Sequence, residues 1–177
     1  MKILSAVAAL LVVSSVAMAG GLEVGEGVGA FYVKDVTGPS AGEKLCYRCQ
    51  YRNRPVVSIF AREMNDNVAS LVKSVDATVG ENESKKMAAF VVLLTDQPEA
   101  QESQLKDVAK SNSISKTPLT VFDGPTGPPA YKISKDAEIT VMMWVDGKLK
   151  VNEELKASDL SNDKIKALVA KTETILN

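Results

Sequence analysis

Residues 55–61 and 87–94 are apolar at almost every position, which is the pattern of strands covered on both faces. Between them Met64, Val68, Leu71, Val72, Val75 and Val79 recur with a 3.6-residue period. That stripe predicts a helix started by Asn65 or Asp66, followed by a charged loop over residues 80–86. A second helix is expected from Pro98, with Thr95 or Asp96 ahead of it and Leu105, Val108 and Ala109 turned inward. Residues 30–36 and 119–122 read as further strands, and residues 38–42 as a turn by composition. Residues 123–129 hold Pro125, Pro128 and Pro129, which fix φ and remove donors, so no regular element fits there. A strand over 139–145 then leads through Asp146-Gly147, a hairpin signal, into the alternation of Leu149 and Val151. The last helix, capped by Ser161, places Ile165, Leu168, Val169, Thr172, Ile175 and Leu176 on one face.

The first residues follow a different rule. Met1-Lys2, an apolar run over 3–16 and the small-x-small triplet Ala17-Met18-Ala19 form the pattern of a cleaved export signal. The run is short for a bilayer span, and no later segment is apolar enough to cross a membrane. The expected organisation is a signal peptide over 1–19, a flexible Gly-rich lead-in over 20–29 and one domain over 30–177. The compartment is then extracytoplasmic, periplasmic or secreted, where disulfides persist.

Charge and composition exclude more than they suggest. With 21 Lys and Arg against 22 Asp and Glu, the chain lacks the basic excess of a nucleic-acid binder. There is no histidine, which removes Ser-His-Asp and Cys-His machinery, His-ligated metals and c-type haem. Residues 25–29 are no phosphate loop, since no Lys-Ser/Thr follows. Trp144 and Met142-Met143 read as core, while Glu153, Glu154 and Asp96 read as surface or helix-end carboxylates. No cofactor and no metal site is expected.

The element order gives a β-α-β unit with a right-handed crossover, then β-β-α after the proline-rich insert. The stretch over 116–152, "TPLTVFDGPTGPPAYKIS" and then "ITVMMWVDGKLKVNEEL", resembles the redoxin branch of the thioredoxin-like superfamily. That branch inserts a strand and a "G…Y.I" segment before a terminal hairpin with a D-G turn. The resemblance implies an α/β, three-layer thioredoxin-like fold with a central mixed sheet, an N-terminal strand extension and a redoxin-type insert. It also implies a reactive Cys just after the first central strand, at the start of the next helix. Here Ala61-Arg62-Glu63-Met64-Asn65 occupies that place, and Thr140 stands where the family carries its cis-proline. A peroxidase or standard disulfide-reductase mechanism therefore does not carry over residue by residue.

The chain instead carries Cys46-Tyr47-Arg48-Cys49 ahead of the first central strand. Two thiols at this spacing close a small ring and can act as attacking and resolving partners. Lys44, Arg48, Arg52 and Arg54 surround them and would favour thiolate, with Tyr47 and Tyr51 interleaved. Three readings stay open at this point: a structural clip, a redox pair exchanging with a protein thiol or disulfide partner, and half of a metal site. The metal reading lacks ligands, because a tetrahedral site wants four. A single-strand nucleic-acid platform over 44–54 is opposed by the overall charge and by export. In the redox reading, Cys46 is expected to attack and Cys49 to resolve. In the other reading, the chain is a non-catalytic binding or scaffold domain.

Overall fold

A computed structural model describes residues 21–177. The export pattern over 1–19 lies outside the described residues. Seven strands form one mixed sheet: β1 Val33–Asp35, β2 Lys44–Leu45, β3 Val56–Ala61, β4 Ala88–Thr95, β5 Leu119–Asp123, β6 Ile139–Val145 and β7 Lys148–Leu155. Their spatial order is β2-β1-β5-β4-β3-β6-β7, so the apolar run over 87–94 is the middle strand. β4 is parallel to β3 and β5, and the other pairings are antiparallel. Every residue of β3 is buried, Ser58 included, as its nearly continuous apolar pattern requires.

Helices α2 Asp66–Glu81, α3 Pro98–Asn112, α4 Asn162–Ala170 and α5 Glu173–Leu176 cover one face. Their core there includes Leu71, Val75, Leu105, Leu119, Ile165 and Leu168. Asn65 starts α2 by accepting the N–H of Val68 at 3.1 Å, and Ser161 starts α4 by accepting that of Lys164 at 3.2 Å. The opposite face is aromatic. Phe31, Tyr47, Phe60, Phe90, Tyr131 and Trp144 pack there beneath the helix α1 Tyr47–Tyr51 and a short turn at Pro129–Tyr131. The architecture is thus three layers around a mixed sheet, as the redoxin resemblance implies. Asp146 and Gly147 both take positive φ, 55° and 71°, the backbone that a tight hairpin between β6 and β7 demands.

Several boundaries differ from expectation. The strand expected over 30–36 pairs only across Val33–Asp35. α2 continues through Gly80 and Glu81, and a short turn at Glu83–Lys85 replaces the expected loop. The terminal helix breaks at Lys171 and Thr172, whose N–H groups close tight i−3 bonds to Leu168 and Val169. The segment expected as a flexible lead-in is docked from Gly21 onward. Gly25 N donates to Leu149 O, Val28 N donates to Gly147 O, and Leu22 and Val28 are buried. These bonds occupy the outer edge of β7, an otherwise unpaired strand edge.

Candidate functional site

The site is built outward from a buried carboxylate. Asp35, at the end of β1, is 1% exposed. It accepts the N–H of Gly38 at 2.8 Å and of Ser40 at 2.9 Å, which fixes the turn into β2. It also accepts the phenol O–H of Tyr47 at 2.9 Å. Gly38 has no room for a side chain, since a Cβ there would lie 2.3 Å from the Tyr47 oxygen. Burial pushes the Tyr47 phenol well above its ordinary range, and the bond to Asp35 adds to the rise, so Tyr47 stays a neutral donor. Its ring stacks on Phe90 at 5.4 Å and lies 5.3 Å from Tyr51.

This anchor holds α1, and α1 holds the two cysteines. Cys46 and Cys49 are joined in a disulfide with their Cα atoms 5.2 Å apart. Cys46 occupies the cap position ahead of α1, and its sulfur accepts the N–H of Cys49 at 3.1 Å. Cys46 is 6% exposed, whereas Cys49 is exposed. The residue nearer the lead-in is thus the covered member of the pair.

The basic neighbours separate into two groups. Arg48 donates to Val28 O at 3.1 Å and to Arg52 O at 3.2 Å, tying α1 to the docked N-terminal segment. Arg54 donates to the Lys86 and Met87 carbonyls and lies 5.1 Å over the Tyr51 ring. Neither donates to sulfur. Lys44 and Arg52 remain exposed. Beside α1 opens a cleft of about 670 Å³ lined by Tyr51, Arg54, Pro39, Lys86, Met87 and Lys116, a surface part basic and part apolar.

The position where the redoxin resemblance implies a reactive Cys lies at the other end of β3. Arg62 fills it, donating to the carbonyls of Ala137 at 2.8 Å and Ser134 at 2.9 Å, and to that of Pro125. Met64 beside it is 3% exposed. Thr140 sits opposite Phe60 in the β3–β6 register with its hydroxyl buried and unbonded. β3 is six residues long, which separates the two ends by about 17 Å at the usual strand rise.

Sequence reasoning found both cysteines but missed the Asp35–Tyr47 anchor, the strand β2 and the helix α1. The available signal was weak: Tyr47 and Tyr51, four residues apart, as the one apolar pair of a short helix. Among the described residues, no three His, Cys, Asp or Glu side chains group to hold a metal ion. No helix there is long and apolar enough to cross a membrane.

No protein-family description matches the chain, and no curated protein sequence matches it. Solved structures do. A candidate protein disulfide isomerase from Bacteroides thetaiotaomicron superposes with a TM-score of 0.66 at 16% identity, covering 89% of this chain and 92% of that one. The thioredoxin domain of a thiol-disulfide oxidoreductase from Bacteroides vulgatus gives 0.58 at 14% identity, over 84% and 99%. A mitochondrial 2-Cys peroxiredoxin from Plasmodium falciparum gives 0.63 at 9% identity, over 87% and 94%. The fold is therefore thioredoxin-like, and in this chain the Cys-x-x-Cys pair lies at α1, ahead of β3.

Proposed function

We propose that this chain is a thiol–disulfide exchange protein of an extracytoplasmic space, with Cys46–Cys49 as its redox centre and a protein thiol or disulfide as its partner. The observation that carries the reading is the exposure of Cys49 in a bonded pair, because an open sulfur is what an incoming thiolate needs. Disulfide-exchange proteins among the fold neighbours agree with it. Export rests on the pattern of residues 1–19, and mass spectrometry of protein from its host should find a mature start at or near Gly20.

Equilibration with glutathione buffers tests the redox role. An exchange pair should have a reduction potential between about −120 and −270 mV, whereas a structural clip should lie below about −300 mV. Wild type should also reduce insulin in the presence of a dithiol, and Cys46→Ser should not. A second reading, a binding or scaffold domain clipped by Cys46–Cys49, is favoured by the closure of the family's reactive position by Arg62. A potential well below −300 mV, with no insulin turnover, would select it.

A further inference from the structure

We infer that Cys49 is the sulfur that exchanges with an outside thiol and that Cys46 is the leaving and resolving sulfur, the reverse of the chain-order assignment. This deepens the exchange reading above and rests on it. Displacement at sulfur is in-line, so the attacked atom must be open on the side away from its partner. Cys49 is exposed, while Cys46 is 6% exposed, set between the buried Leu45 and Tyr47. The leaving sulfur must also hold charge. Cys46 already accepts the N–H of Cys49 at 3.1 Å, a donor that remains in place when the sulfur becomes a thiolate. Around it, the Tyr47–Asp35 bond at 2.9 Å and the Arg48–Val28 bond at 3.1 Å keep α1 seated, so burial of Cys46 outlasts the bond that breaks.

The exchange balances as follows. A substrate dithiol presents one thiolate, which bonds to Cys49 sulfur while the Cys46–Cys49 bond breaks and its electron pair leaves on Cys46. The second substrate thiolate then bonds to the first substrate sulfur, and Cys49 leaves as thiolate. The substrate loses two electrons and two protons, and the protein ends as a dithiol. In the opposite direction, Cys49 thiolate attacks a substrate disulfide and Cys46 resolves the mixed disulfide.

The sequence supplies a direct assay. Trypsin cuts after Lys44, Arg48 and Arg52, which places Cys46 in the peptide 45–48 and Cys49 in the peptide 49–52. Oxidised wild-type protein is mixed with glutathione, quenched with acid after a few seconds, blocked with a maleimide at its free thiol and digested. Mass spectrometry should find glutathione on 49–52 and maleimide on 45–48, in roughly tenfold excess or more over the converse pair. In denaturant the preference should collapse, because the fold creates it. Glutathione on 45–48, equal labelling, or a preference unchanged in denaturant overturns the assignment of the two sulfurs while leaving exchange intact. Absence of any adduct in the native protein, under conditions that label the denatured chain, overturns the exchange reading and the assignment together.

Discussion

Tyr47→Phe removes a single oxygen and should reveal how firmly the cysteine-bearing helix is held. Asp35 is 1% exposed and accepts three donors, the N–H groups of Gly38 and Ser40 and the O–H of Tyr47. Without the phenol, the carboxylate keeps its two backbone donors and loses a charge-assisted bond. The space vacated is that of one oxygen, less than a water needs to enter and replace it. A hydrogen bond to a charged group contributes about 1.5–3 kcal/mol. We expect a loss of about 2 kcal/mol, or roughly 4–8 °C in Tm for a domain of this size. Gly38→Ala attacks the same knot sterically, with its Cβ 2.3 Å from the Tyr47 oxygen and 2.6 and 2.8 Å from the Asp35 oxygens. The double variant relieves the first clash and retains the other two. Its cost should therefore fall short of the sum of the single costs by a coupling of about 1 kcal/mol. Equilibrium urea unfolding without reductant, so that the disulfide stays closed, measures all three. A loss under about 0.5 kcal/mol for Tyr47→Phe, or strict additivity in the pair, would refute the anchor.

Leu93 is 2% exposed in the helix-side core, so Leu93→Asp should cost several kcal/mol and unfold the domain; a soluble variant with a native-like circular dichroism spectrum would contradict the core assignment. The bond from Lys171, with Lys164 at 3.5 Å, holds the Glu153 carboxyl below its ordinary 4.5. Because the folded-state value is lowered, this pair stabilises fully above about pH 4.5 and fades as pH falls through that lower value; Glu153→Gln should cost about 0.5–1 kcal/mol at pH 7, with the gap to wild type closing in acid urea titrations. Arg62→Ala strips three carbonyls of their donor and should lower Tm by several degrees, yet leave the rate of glutathione exchange within about twofold, and a tenfold fall would place the reactive centre at the wrong end of β3.

Where burial is complete, the sequence was legible. β3 and β4 are buried on both faces, so continuity of apolar residues alone marked them, and Asp146-Gly147 marked the hairpin because few residues accept two successive positive φ values. The aromatic face was harder to read. Its cover is a five-residue helix, too short for periodicity to register, and a Gly-rich segment that looks loose until its backbone finds the edge of β7. The cysteines were visible by spacing, but their unequal exposure was not. It depends on Tyr47 reaching Asp35, twelve residues upstream, through a turn that only Gly38 permits.

The two ends of β3 differ in the physical condition that exchange requires. At the end where the redoxin resemblance implies a reactive Cys, a guanidinium satisfies three carbonyls and Met64 is sealed beneath, so a thiolate would find neither access nor a free donor there. At the opposite end the exposed Cys49 is bonded to the buried Cys46, whose sulfur keeps a single N–H donor. How oxidising a pair becomes depends on how strongly its reduced form is stabilised as thiolate. Here the support is one backbone donor on a five-residue helix, while Arg48 and Arg54 are directed to carbonyls. That is weaker stabilisation than a long helix and free cations provide. Within the exchange range the pair should therefore fall toward about −270 mV rather than about −120 mV, closer to a reductant than to an oxidant of protein thiols.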